Sequence, residues 1–389
     1  MKNIFENTKI AFSIKKDSEL ERAYFLFKMI KSDPLVRIGT AITNFALKAH
    51  LPVEHLIRAT VFDHFCGGIT EEDCMDTIDK MYAKKVHSVL DYSVEGKETE
   101  EQFDLAMKKT LKILDYVKEK DSIPFAVFKP TGFGRFEVYR KITENEALSN
   151  SEKNEWNRIE ARYDAVCKKA YENDMPLLID AEESWMQIAA DDLIEKMMIK
   201  YNKNKVIVFG TLQMYRWDRL DYLKNLHKRA QEKGFYIGMK IVRGAYMEKE
   251  RERAEEKKYK SPICIDKKTT DLNYDAAITY LMNHEKMAVF AGTHNENSTL
   301  LLTELAKKHQ IKKEDMRMWF GQLYGMSDHI SFNLADQGYN VAKYLPFGPV
   351  RDVMPYLIRR AEENTSVAGQ TSRELTLLKT ERKRRKLAK

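Results

Sequence analysis

The sequence has little of what usually marks a special site. Its four cysteines, Cys66, Cys74, Cys167 and Cys264, stand apart with no CxxC spacing. That argues against a disulfide framework or a zinc ribbon and fits a reducing compartment. The nine histidines form no HxxxH or HExxH pair, so a helix-borne metal site has little support. No apolar run nears the roughly 20 residues that a membrane-spanning helix needs. The N-terminal stretch MKNIFENTKIAFSIKKDSEL carries acidic residues and no long apolar core, unlike a cleavable signal or transit peptide. A glycine-rich dinucleotide fingerprint is also missing. The nearest stretch, TGFGR (131–135), lacks a third glycine.

Charge is present but unevenly placed. The chain carries a net +7, and the last eleven residues, KTERKRRKLAK (379–389), hold seven basic residues against one acidic. That tail accounts for +6, leaving +1 for the rest (7 − 6), which is no surface for a nucleic-acid binder. The ordinary reading of such a tail is a solvated, disordered end. The alternative is an electrostatic hook for anionic lipid. With 43% hydrophobic residues the chain can build a real core, so a soluble or peripheral intracellular protein is expected.

What is present is a strong alternation. Residues 1–85 read as a helical arm: ELERAYFLFKMI (19–30), VRIGTAITNFALKAH (36–50) and EEDCMDTIDKMYAKK (71–85) space apolar residues by three and four. Thr70 with Asp73 looks like a helix start before the last of these. From residue 86, eight β-rich runs alternate with helical stretches such as DDLIEKMMIKYN (191–202) and RLDYLKNLHKRAQEK (219–233). The runs occupy 86–96, 123–132, 175–184, 205–214, 235–246, 286–295, 316–325 and 340–349. Eight such repeats predict a (β/α)8 barrel over 86–367, followed by a C-terminal helix and tail over 368–389. Each run turns polar at its C-terminal end, where barrels build active sites. In order those ends are Asp91, Lys129, Asp180, Gln213, Lys240 with Arg243, Thr293 with His294, Gln322 and Tyr344.

The stretch YLIRRAEEN (356–364) raises a separate question. On a helical wheel Val350, Val353, Met354, Leu357, Ile358 and Ala361 share one face, and Tyr356, Arg359, Arg360 and Glu363 share the other. On spacing alone the arginines form either a solvated face or a carboxylate clamp.

The motifs FKPTGFGR, LLIDAEESW, KIVRGAYMEKERERA, AGTHN, FGQLYGM and KYLPFGPVRDVMPYLIRRAEENTSV together resemble the proline dehydrogenases, flavin enzymes that oxidise L-proline to Δ1-pyrroline-5-carboxylate. The KIVRGAY form and the insert 141–174 are more like the monofunctional, mitochondrial-type branch. The chain looks too short for the aldehyde dehydrogenase half of the fused bacterial enzymes, and it lacks their DNA-binding module. The resemblance implies a distorted barrel whose last helix lies over the C-terminal mouth, with FAD as cofactor.

It also implies roles. Arg359, Arg360 and Lys129 would bind the substrate carboxylate, and Tyr344 would cover the ring and favour proline over hydroxyproline. Leu323 and Tyr324 are either pocket lining or core. Arg243, Gly244, Ala245, Tyr246, Thr293 and His294 would hold the flavin's pyrophosphate side, with Ala181 and Glu363 as further cofactor contacts. Gln213 and Gln322 suit the polar edge of the isoalloxazine. Lys240 stands where many bacterial relatives carry arginine near the flavin N5, keeping the charge but not the planar fork. Asp180 would hold Lys129 and Tyr344, and either it or a water would take the amine proton.

The implied chemistry is hydride transfer from proline C5 to the flavin, with electrons then passed to membrane quinone. The implied location is the inner face of a bacterial membrane, touched through the basic tail. Three alternatives remain: 4-hydroxyproline oxidation, a Schiff-base lyase built on Lys129, and a membrane-associated binding module.

Overall fold

The computed structural model describes residues 4–31, 57–93, 97–359 and 370–387. Eight strands lie in one sheet: β1 Val86–Tyr92, β2 Ala126–Phe128, β3 Leu177–Ile179, β4 Val208–Gln213, β5 Ile237–Val242, β6 Met287–Gly292, β7 Met318–Leu323 and β8 Val341–Phe347. Their order is β1-β8-β7-β6-β5-β4-β3-β2, with helices in the connections, and the strands run parallel as a nearly closed (β/α)8 barrel. Every strand falls inside one of the eight runs read from the sequence. The strands are almost wholly buried, which is why they read as apolar runs without clean alternation.

Contacts divide the chain into two compact units, 96–320 and the pair of segments 1–95 and 321–389. Within the first unit, Phe125, just ahead of β2, meets Phe209 of β4, Phe290 of β6 and Trp319 of β7 edge to face, at 5.6, 5.2 and 5.1 Å between ring centres. Strands that are not neighbours in the sheet meet there, so these rings fill the barrel interior and leave the C-terminal ends for chemistry. The helix Arg219–Lys233 coincides with the predicted stretch and stops at Gly234 with φ +65°, the left-handed cap that glycine adopts without strain. The insert 141–174 holds the helix Asn150–Glu172, opened by a reciprocal Ser149–Glu152 cap. Arg162, almost fully buried, ties it to Asp104 at 2.8 Å and to Glu100 at 2.5 Å.

In the second unit the arm helix Asp17–Ile30 and the helix Glu71–Tyr82 stand where the spacing places them, the latter capped by Thr70 and Asp73. The stretch 36–50 lies outside the described residues. The basic tail differs from its ordinary reading. Gln370–Arg384 is a helix packed on the arm, where Leu375, Leu377 and Leu378 join Phe12, Leu20 and Phe27. Arg382 forks onto Glu21 at 2.6 and 2.9 Å, and Arg385 reaches Asp17 at 3.0 Å and the carbonyl oxygens of Phe12 and Lys15 at 2.8 Å. The tail's charge was legible, but its partners, about 360 residues earlier in the chain, were not.

A buried ion cluster joins the arm to β8. Asp328 sits 3.2 Å from Lys15 and 2.7 Å from Lys343, which is 1% exposed. Burial alone raises a carboxyl's pKa, but the two ammonium groups hold Asp328 well below the usual carboxylate range. Asp328→Asn leaves two buried ammonium groups without their counter-charge. It is expected to cost about 3–5 kcal/mol, read as a lower urea midpoint with an unchanged slope; an unmoved midpoint would show the cluster to be dispensable.

Candidate active site

The short strand β3 runs into Asp180-Ala181-Glu182-Glu183-Ser184, and the polar members of this corner reach several parts of the barrel. Asp180 pairs with Lys240 of β5 across the intervening β4, and the lysine is 6% exposed. The sequence reading assigned Asp180 to Lys129 and Tyr344; the ion pair adds a partner which that reading missed. The two lie 60 residues apart in the chain, and only the parallel order β3-β4-β5 brings them together. Thr211 of β4 donates from Oγ1 to the Ile179 carbonyl at 2.7 Å, fixing the strand end from which Asp180 projects.

Glu182 is the residue that reading the strand ends overlooked. Its Oε2 accepts from the Thr131 amide at 2.8 Å and its Oε1 from the Thr131 hydroxyl at 2.7 Å. Thr131 lies in the turn Pro130–Gly132 that Lys129 opens at the end of β2. Glu182 therefore clasps the segment that presents Lys129. Its backbone is also held, with the carbonyl accepting from Gln213 Nε2 at 2.6 Å and the amide donating to Gln187 at 2.8 Å. Gln213 thus spends one amide hydrogen inside the scaffold. Full burial pushes the Glu182 carboxyl up to about 7, although the two Thr131 donors and nearby Lys129 act the other way. The signal was present in DAEES, where a second carboxylate follows Asp180 at the same strand end.

The end of β5 forms a second cluster with the loop after β6. Arg243 donates from Nε to Asp271 at 2.7 Å, from Nη1 to the Thr293 hydroxyl at 2.7 Å and from Nη2 to Ser298 at 3.0 Å. Its guanidinium lies 4.4 Å from the centre of the Tyr274 ring, so its plane is set on every side. Gly244 has φ +127°, and a Cβ there would meet the Tyr215 ring at 2.5 Å, so only glycine fits. Gly244 and Ala245 are exposed, which leaves their backbone open to a ligand, while Tyr246 is half-buried and its carbonyl accepts from the Glu250 amide at 2.9 Å. Thr293 is buried and His294 half-buried, next to Arg243 at the adjoining strand end.

The remaining candidates belong to the second unit. Gln322 of β7 is 2% exposed and accepts at Oε1 from the Ser331 hydroxyl at 2.8 Å. Tyr344 lies on β8 and is buried. Leu323 packs against the apolar cluster that includes Phe62, Phe65 and Met354, in line with the core alternative. The helix over 354–359 carries Arg359, half-buried, at its end; Arg360 and Glu363 lie outside the described residues. One wheel assignment is corrected: Tyr356 is buried in the same cluster with Val353 and Leu357, so it belongs to the apolar face. A phenol ring tolerates an apolar surround that an arginine does not, and 100° steps do not capture that difference.

Fold and strand ends together define a barrel enzyme with an ionisable C-terminal rim. The chain belongs to the proline dehydrogenase family, whose sequence model, described as Proline dehydrogenase, matches residues 74–373. Among its relatives is the carbapenem antibiotics biosynthesis protein CarD of Pectobacterium carotovorum, 36% identical over 90% of this chain and 91% of its own length. Proline dehydrogenase 2, mitochondrial, of Arabidopsis thaliana is 31% identical over 95% of this chain and 88% of its own. Among solved structures, proline utilization A from Bdellovibrio bacteriovorus superposes with a TM-score of 0.70 at 20% identity. The match covers 94% of this chain and 37% of that one, a likeness of fold.

Glu182 makes stability depend on pH in a defined direction. With its folded value near 7 and an ordinary unfolded value, its contribution is full below the usual glutamate range and is lost as pH rises through about 7. Glu182→Gln keeps both contacts, the amide oxygen accepting from the Thr131 amide and the amide nitrogen donating to its hydroxyl. Relative to the wild type, the variant is expected to gain on the order of 3 kcal/mol between pH 4.5 and 8. Parallel stability profiles for the two proteins in urea would contradict this.

Proposed function

We propose that this protein oxidises L-proline to Δ1-pyrroline-5-carboxylate with bound FAD and passes the electrons to a membrane quinone at the inner face of a bacterial membrane. The observation that carries the reading is the buried Asp180–Lys240 pair beside the immobilised Arg243 fork, on the rim of a barrel of the proline dehydrogenase family. FAD fits the residues present: Arg243 supplies fixed positive charge, Gly244 permits close backbone approach, and Thr293 and His294 add polar groups next to them. Ala181, Ala245, Tyr246 and Glu363 complete this cofactor set, and Gln213 and Gln322 serve the polar edge of its ring system. When bound, FAD supplies the acceptor for the hydride that leaves C5 of proline.

The chain's own groups do the rest. Arg359, Arg360 and Lys129 bind the proline carboxylate, which orients the ring and sets C5 against the cofactor. Tyr344 closes over the ring and limits its size. Lys240, held by Asp180, presents a cation where negative charge develops. Because the ion pair orients the lysine before substrate arrives, little reorganisation is left for the reaction itself.

A second substrate also has support. Hydroxyproline dehydrogenase of Xenopus laevis is 27% identical over 96% of this chain. Tyr344 favours proline over the bulkier 4-hydroxyproline.

The purified protein should show a flavin absorption spectrum that bleaches on anaerobic addition of L-proline, and more slowly with trans-4-hydroxyproline. A colourless protein that borohydride traps on a carbonyl compound would instead make it a Schiff-base lyase working through Lys129. Lys129→Met or Arg359→Met should weaken L-proline binding by about 2–5 kcal/mol, seen mainly as a higher KM. Unchanged KM in both variants would remove them from the carboxylate clamp.

A further inference from the structure

The loops that leave the C-terminal ends of β4 and β5 are stitched into a small platform. Tyr215 donates its amide to the Arg243 carbonyl at 2.7 Å and accepts from the Cys264 amide at 2.6 Å. Arg216 and Ile263 form an antiparallel bridge, and Trp217 bonds Pro262 through its amide at 3.1 Å and Ser261 through its indole at 3.0 Å. Asn273 pins the same loop from below, donating to the carbonyls of Met214 and Arg216 at 2.8 and 2.9 Å. This backbone is well anchored, yet it holds apolar side chains out in water. Ile265 is 89% exposed, Leu272 62%, Trp217 49% and Tyr259 40%. Such a group of exposed large side chains on a rigid scaffold marks an interaction surface.

The surrounding charge says what it meets. Residues 257–268, KKYKSPICIDKK, carry five lysines and one aspartate, and all five lysines are exposed. Lys260 places its ammonium 4.3 Å from the centre of the Trp217 ring. Aromatic and aliphatic tips in a lysine-rich segment suit an anionic bilayer: the apolar groups enter the headgroup boundary while the lysines stay at lipid phosphates. No helix among the described residues is long and apolar enough to cross a membrane, so such contact is interfacial. The C-terminal tail is a weaker candidate, because Arg382, Arg384 and Arg385 are committed to Glu21, Glu381 and Asp17.

We propose that this β4–β5 platform, and not the basic tail, docks the protein on an anionic lipid surface, bringing the rim that carries Lys240 and Arg243 to the membrane. The proposal rests on the reading of the chain as an enzyme that hands electrons to a membrane acceptor, and it names the face that does so.

The test uses the full flavin-loaded chain, sedimented with vesicles of phosphatidylglycerol and phosphatidylcholine in equal parts or of phosphatidylcholine alone. Binding is expected only to the anionic vesicles and should weaken with salt. Lys257→Gln/Lys260→Gln/Lys268→Gln should reduce it on the order of 100-fold, at about fivefold per lysine. Ile265→Asp, at a side chain that supports no packing, should also reduce it. Lys379→Gln/Lys383→Gln/Lys386→Gln on the tail should leave it within about twofold, less than the loss of a single lipid-facing lysine.

Proline-dependent reduction of a soluble dye should be unchanged in every variant. If dye reduction by L-proline fails while the vesicle pattern appears, the docking face stands and the substrate assignment falls. Platform variants that bind as the wild type does, loss of binding in the tail variant, or absent vesicle binding overturn the proposal. So does an Ile265→Asp variant that turns a dimer into a monomer with vesicle binding intact, since the face would then join two copies.

Discussion

The ion pair between Asp180 and Lys240 is the contact on which the candidate site depends. It spans three strands, so it forms only when β3, β4 and β5 are in register, with Leu177 opposite Val208 and Thr211 opposite Lys240. Two charges nearly out of water attract strongly but also lose hydration, so such a pair is poor evidence for stability. Its value lies in position: it holds a buried lysine in place at the strand ends. The rest of the β3 corner serves the same geometry. Glu182 grips the Lys129 turn through Thr131, Gln213 is tied to the Glu182 carbonyl, and Ser184 donates to Glu250 at 2.6 Å through its amide. Asp180, Glu182 and Ser184 thereby tie this corner to the turn after β2, to β4, to β5 and to Glu250 in the segment that follows β5.

The unit formed by the chain's two ends follows a different logic. There the charges around Asp328 and along the C-terminal helix hold segments together. Lys15 from the arm and Lys343 from β8 share Asp328, while Glu374 of the C-terminal helix accepts from the Ser327 amide next to it. Apolar packing of Leu375, Leu377 and Leu378 on the arm works alongside these pairs. A tail so rich in arginine is ordered because its partners, Asp17, Glu21 and Glu381, lie on or against the helices it touches. The lysines that remain toward solvent are more telling at the rim, where they accompany exposed apolar tips, than at the C-terminus.

Much of the fold was legible because its signals are local. Buried parallel strands read as apolar runs, and all eight appeared at their places. A helix limit followed from its cap at Thr70 with Asp73. The polar strand ends were legible for the same reason: an ionisable residue at the close of an apolar run stands out. Tyr356 was misplaced because a wheel records direction and not the tolerance of a side chain for burial. The packing of the insert, carried by Arg162 on Glu100 and Asp104, needed contacts across about 60 residues.

The sequence by itself determined the barrel, through an alternation repeated eight times, and the set of polar groups at the strand ends, while the family was legible as a resemblance carried by its motifs. Which of those groups face one another was decided by the tertiary structure alone. Asp180 with Lys240, Glu182 with Thr131, and Arg243 with Asp271, Thr293 and Ser298 are separated by 28 to 60 residues. Hydrogen bonds and ion pairs act over a few ångströms, so their partners are set by strand order and register, which no single stretch of chain contains.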